Sequence, residues 1–144
     1  MITLRILKLL EQEGHGTVDI DGTMKTGGLF FEKLPQGKTG VAIYSRGSVM
    51  GHGLRYTQAF DLYSRGINDV AGYQILEQII ETLSDSYTVC SLPIVTGIDE
   101  EAYSNISIVP VSNIENAGQD DNDRVLYAVT AQVTYTKPNA VIVS

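Results

Sequence analysis

Carboxylates are the residues of this chain whose spacing could do chemistry. Asp19 and Asp21 flank Ile20 in Val18-Asp-Ile-Asp-Gly-Thr23, and Asp120, Asp121 and Asp123 crowd one polar segment. The second group could gather Ca²⁺, but it lacks the ligand spacing and closing Glu of an EF-hand loop, so it reads as a solvated turn. His15 and His52 each sit between glycines, with no His-x-x-x-His spacing and no paired cysteine to complete a metal site. Both read as exposed loop residues. Cys90 is the single cysteine, which excludes an internal disulfide, and in the strand-like Tyr87-Thr-Val-Cys-Ser-Leu92 it reads as a small core residue rather than a nucleophile. Gly-x-Gly-x-x-Gly and Walker spacings are absent, and no Gly-x-Ser-x-Gly places a serine on a nucleophile elbow. The expectation is a protein that is not an enzyme, with no catalytic, cofactor-binding or metal-binding residues.

One alternative stays in view. Val18-Asp-Ile-Asp-Gly-Thr23 resembles the first motif of haloacid-dehalogenase-type phosphatases. That resemblance implies Asp19 as the nucleophile on phosphorus, Asp21 as the acid/base and Mg²⁺ bridging the carboxylates. The context opposes it, because that motif ends a buried apolar strand opening a parallel α/β sheet, whereas Gly14-His-Gly-Thr17 precedes a single Val18 here. Nor do the later elements alternate as βαβα.

A chain of 144 residues falls in the size range of one domain. It is 43% hydrophobic and 19% charged, and no apolar run approaches the roughly 20 residues needed to cross a bilayer. The start, Met1 to Leu10, places basic residues within its apolar pattern and offers no small-residue cleavage site, so a cytoplasmic protein without a secretory signal is expected. A net charge of −7 disfavours tight binding to nucleic acid through phosphates.

The clearest structural signal runs from Leu54 to Leu83. Tyr56, Gln58, Phe60 and Leu62 alternate with Thr57, Ala59, Asp61 and Tyr63, the period-2 pattern of a strand. Gly72, Ile75, Leu76, Ile79, Ile80 and Leu83 then form the apolar stripe of a helix capped by Asn68 and ending near Ser84 or Asp85. Gly72 on that stripe would let the helix approach a sheet closely. Upstream, Thr3 is the expected cap of a short helix carrying Ile6, Leu7, Leu9 and Leu10 among Arg5, Lys8, Glu11 and Glu13, with Gly14 as its stop. A short strand is placed at Thr17 to Ile20. Leu29 to Leu34 and Thr39 to Ser45 read as a hairpin about Pro35-Gln-Gly-Lys38, and Arg46 to Gly53 as a glycine-rich loop. Further strands are placed at Tyr87 to Leu92, at Ser104 to Val111 with Pro110 marking an end or edge, and at Val125 to Thr136, a long central strand. The last two would pair antiparallel through an acidic link. The expected fold is therefore α+β: a mostly antiparallel sheet with one long amphipathic helix packed on one face and a short N-terminal helix. Residues 138–144 would form a C-terminal arm.

This order of elements resembles the small tail-completion proteins of long-tailed bacteriophages, often labelled minor capsid proteins and including tail terminators and tail-to-head joining proteins. The likeness rests on the apolar strand ending at Pro35, the alternating strand near Arg55 feeding one long helix, and Arg124-x-x-Tyr127 entering the terminal strand. It implies a virion protein that forms a ring, usually six-membered, on the tail tube and docks to the head connector while DNA passes through without specific binding. Partners would be other copies of the chain, the tail tube protein and the head connector, with no membrane. The family uses no catalytic residues. Loops and termini supply its contacts, which makes Arg46, Val49, Met50, His52, Asp120, Asp121, Asp123, Val141, Ile142 and Val143 the candidate contact residues. The tail Ala140 to Val143 could add an edge strand to the next subunit.

Overall fold

The computed structural model describes residues 1–19, 28–85, 91–119 and 123–138. In chain order the elements are helix α1 (Ile2–Gln12), strands β1 (Thr17–Asp19), β2 (Gly28–Phe31), β3 (Gly40–Met50) and β4 (Arg55–Arg65), helix α2 (Asp69–Ser84), and strands β5 (Ser104–Pro110), β6 (Glu115–Gln119) and β7 (Val125–Thr136). The strands form one curled, mostly antiparallel sheet in the order β1-β2-β3-β4-β7-β5, with β6 also paired to β7. The class is α+β with two helices.

Alternation along β4 and β7 divides the sheet as the sequence predicts. Phe60 and Leu62 are buried from β4, as are Val129, Ala131 and Val133 from β7; they join Val41 and Ile43 of β3 in one apolar cluster. Both helices feed that cluster, α1 through Leu4, Ile6, Leu7 and Leu10, and α2 through Leu76, Ile79 and Leu83. Helix α2 begins where expected: Asn68 accepts a 2.9 Å hydrogen bond from the Ala71 amide. Its Gly72 permits a close approach, though to the β4–α2 corner rather than to a strand backbone alone. A Cβ on Gly72 would lie 3.1 Å from the Gly66 nitrogen and 3.5 Å from the Tyr127 ring, and one on Gly66 would collide with the Gly72 backbone. Buried Ser64 ties the same corner, donating its hydroxyl to the Gly72 carbonyl at 2.7 Å.

Several expectations are corrected. The first helix is not capped by Thr3: Met1 occupies the cap position, and Thr3 lies inside the helix with its hydroxyl 2.9 Å from that of Ser45. Arg5, which the sequence sets within the apolar pattern, is itself buried at 2% exposure. Gly14 does stop the helix, at φ 86°. Strands β2 and β3 are parallel, Leu29 opposite Val41, so the segment around Pro35 is no hairpin turn. Because β2 has only four residues, Glu32 to Thr39 can return the chain to the start of the sheet without a helical crossover. Glu32 begins the departure at φ 60°, and its carboxylate accepts the Ser45 amide at 2.8 Å while the Tyr44 hydroxyl accepts that of Leu34.

Arg46 to Gly53 is not a loop either. A register shift between Ser45 and Ser48 absorbs the glycine, and β3 continues to Met50 opposite Gln58, Thr57 and Tyr56, leaving a single 3₁₀ turn at His52–Leu54. β7 is interior as expected, and Pro110 ends the terminal strand of the sheet. The acidic link contains β6, which lengthens the edge. The proposed strand at Tyr87 to Leu92 falls mainly outside the described residues, Cys90 included, and Ser91 and Leu92 are not in a strand.

Candidate assembly surfaces

β5 and β6 follow one another along the same side of β7. Ser104 to Pro110 pair with Thr136 to Ala131, and Glu115 to Gln119 with Ala128 to Val125. Between them the amides of Val111 and Ser112 both reach the Thr130 carbonyl, at 2.9 and 3.3 Å, and the Ser112 hydroxyl accepts the Thr130 amide at 2.9 Å. Among the described residues no strand pairs with the outer side of this edge. Such an edge presents backbone donors and acceptors to any strand that approaches it. Val109 and Val111 on it are each 51% exposed.

Beside the edge lies a groove. Tyr73, Glu77, Ile80 and Glu81 of α2 form one wall, Pro110 and Ser112 to Ile114 the other, and Val129 the floor, enclosing about 420 Å³. It continues along α2 into a hollow of about 350 Å³ bordered by Asp69, Val70, Tyr73 and Tyr127. The Tyr73 and Tyr127 rings meet edge to face with centroids 5.4 Å apart. Val70 and Ile67, 67% and 79% exposed, extend the apolar surface past the start of the helix. The apolar stripe expected for α2 is its buried face, and Ile67, Val70 and Tyr73, recurring at a spacing of three, form a second, exposed one that the sequence pattern also carries.

The candidate contact residues fall at three places. Val49 and Met50 pair with Thr57 and Tyr56 at the distal end of the β3–β4 hairpin, and His52 lies in the turn that closes it. The Lys137 amide donates to the Leu54 carbonyl at 3.1 Å, so the chain leaves β7 beside that tip. Tyr56 and Tyr135 stack below it at 5.7 Å, and the Lys137 ammonium sits 4.7 Å from the Tyr56 ring centre. Arg46 lies further down, 3.6 Å from the Asp61 carboxylate, which also accepts the Thr130 hydroxyl at 2.6 Å. Asp61 borders a hollow of about 410 Å³ with Leu34, Tyr44, Tyr63, Arg65 and Leu126. Asp123 is at the opposite end of β7, at φ 58°, ahead of Arg124, whose guanidinium donates to the Gly66 carbonyl at 3.3 Å. The structure thus joins the hairpin tip to the departure point of the C-terminal segment and keeps Asp123 apart from both. Asp120, Asp121, Val141, Ile142 and Val143 lie outside the described residues.

A polar cluster that sequence reasoning missed holds a second exposed feature in place. Buried Arg5 donates from Nε to the Pro93 carbonyl at 2.9 Å, from Nη2 to that of Leu92 at 2.9 Å, and from Nη1 to Asp99 at 3.3 Å and to the Glu101 carbonyl. Asp99 also accepts the Met1 amino group at 3.0 Å and the Tyr103 hydroxyl at 2.8 Å. Burial pushes its carboxyl up, but these hydrogen bonds outweigh burial and hold it below the usual range. Burial and the bond to Asp99 push the Tyr103 phenol far up. With these partners the cluster is a clamp rather than an acid/base centre. It fixes the turn Val95–Asp99, which presents Ile94 and Ile98 to solvent. The one signal for it was an arginine inside the apolar helix pattern.

Asp19 is buried in β1, and Asp21 lies outside the described residues. His15 is engaged with α2: Thr82 gives its hydroxyl proton to the Gln78 carbonyl, so the His15 Nε2–H donates to Thr82 at 2.8 Å. Among the described residues no three His, Cys, Asp or Glu side chains gather to hold a metal, and no helix is long and apolar enough to cross a membrane. No protein-family model matches the chain, and no curated protein matches it.

Proposed function

We propose that this protein is a noncatalytic structural subunit that completes a bacteriophage tail: it assembles with copies of itself into a ring, of six in the simplest case, caps the tail tube and meets the head connector. The observation that carries this reading is the β5–β6 edge, which no strand among the described residues covers, beside an exposed groove that mixes Tyr73, Ile80 and Ile114 with Glu77 and Glu81, a surface suited to a further strand. In this reading α2 backs one side of the sheet and places its exposed stripe next to that edge. The hairpin tip at His52 and the nearby chain exit at Pro138 form the end that meets the tube or the connector. A charge of −7 on each copy repels phosphates around a ring, so DNA can pass without adhering.

Light scattering coupled to gel filtration tests the self-association. The reading requires a mass that is a fixed multiple of the protomer mass, whereas a monomer at every concentration, with tail tubes present as well as absent, would count against it.

A further inference from the structure

We infer that the groove between α2 and the β5–β6 edge receives residues Ala140 to Val143 of a second copy as an added strand. This rests on the reading of the chain as a self-assembling subunit and names the segment that makes the contact.

Three observations select that occupant. No strand among the described residues pairs with the outer side of the edge, and the groove beside it offers apolar contacts at Tyr73, Ile80 and Ile114, so the site accepts an extended segment with apolar side chains. Asn139-Ala-Val-Ile-Val143 is such a segment, with three β-branched residues in succession.

Charge decides between this segment and the other exposed apolar feature, the turn carrying Ile94 and Ile98. That turn leads into Glu100 and Glu101, which would face Glu77 and Glu81 on the groove wall. Residues 139–143 carry no charge and follow Lys137. Like charges brought together across an interface oppose it, so the acidic wall admits the tail and disfavours the turn.

Reach excludes the chain's own groove. Its nearest part, Pro110 opposite Ala131, lies seven residues back from Pro138, about 23 Å along β7. The five residues from Asn139 to Val143 span at most about 18 Å even when fully extended. The tail would also have to reverse direction. The segment must therefore enter a neighbour, making a head-to-tail contact that closes into a ring if the rotation between copies allows it.

Disulfide trapping tests this. In a Cys90→Ser background, Ile142→Cys with Asn113→Cys should give a ladder of disulfide-linked species under oxidation, while each single-cysteine chain stops at dimer. No ladder, or a bond closed within one chain, would overturn the inference. As a second measurement, a peptide of Lys137 to Ser144 should bind saturably to a chain lacking residues 139–144, and Ile114→Asp in that chain should weaken it by about tenfold or more. Equal peptide binding with and without Ile114→Asp would overturn it. Oligomers that persist after removal of residues 139–144 would sink this contact and leave the tail-completion role standing. A ladder from a protein that never caps a tube would do the reverse.

Discussion

Arg5 and Asp99, 94 positions apart in the chain, meet at 3.3 Å with side chains only 2% and 5% exposed. The guanidinium also holds the carbonyls of Leu92, Pro93 and Glu101, so it joins α1 to the segment leading into β5. Removing one member of such a buried pair leaves the other charged and unsatisfied, a cost of about 3 to 5 kcal/mol. Arg5→Ala should therefore lower unfolding stability in urea by about that amount. A loss under about 1 kcal/mol would mean the clamp does not hold the fold.

Stability should decline with acid in two steps. Burial holds the His15 imidazole below its ordinary value of about 6.5, with Glu13 opposing, so the fold favours the neutral ring. That contribution is present above about pH 6.5 and is lost as pH falls through the lower folded value. Asp99 is depressed as described, and the Val18 amide holds Glu11 low against a smaller effect of burial. Their contributions are present above about pH 4 and are lost on further acidification. Urea midpoints measured across pH should be level near neutrality and fall below pH 6.5, and His15→Gln should flatten the first step while sparing the second.

Gly66→Ala should destabilise more than Gly72→Ala. The added methyl at Gly66 would strike the Gly72 backbone, which cannot move without shifting the start of α2, whereas at Gly72 the nearest atom is 3.1 Å away. Overpacking of this kind costs about 1 to 3 kcal/mol. Thermal unfolding of the two variants checks the order.

How much of this was legible in the sequence depended on whether the cause was local. β4, β7 and α2 follow from residue period and from the Asn68 cap, because burial on one face imposes that period directly. The parallel pairing of β2 with β3 is a choice of partner, and Pro35-Gln-Gly-Lys38 turns the chain whether the next strand returns beside or along the first. Glycine content suggested a loop at Arg46 to Gly53, yet pairing with Tyr56 to Gln58 supplies backbone hydrogen bonds that override so weak a preference. The Arg5 clamp needs a partner far along the chain, which no local pattern reveals. Of the candidate surface, Pro110 announced the edge, while the groove exists only once α2 lies beside Ile114.

The edge itself can be disabled without touching the core. Val109 and Val111 are half exposed, and lysines on an edge strand discourage added pairing. Val109→Lys with Val111→Lys should leave the unfolding free energy within about 0.5 kcal/mol, as expected for surface changes, and shift the protein toward monomers in sedimentation velocity. Unchanged oligomers would remove the edge from the account.

Electron microscopy of tail tubes growing with and without the purified protein tests the central claim most directly. The expected result is a ring of density at one end of each tube and an end to elongation there. Tubes that elongate unchanged, with the protein remaining monomeric beside them, would contradict it.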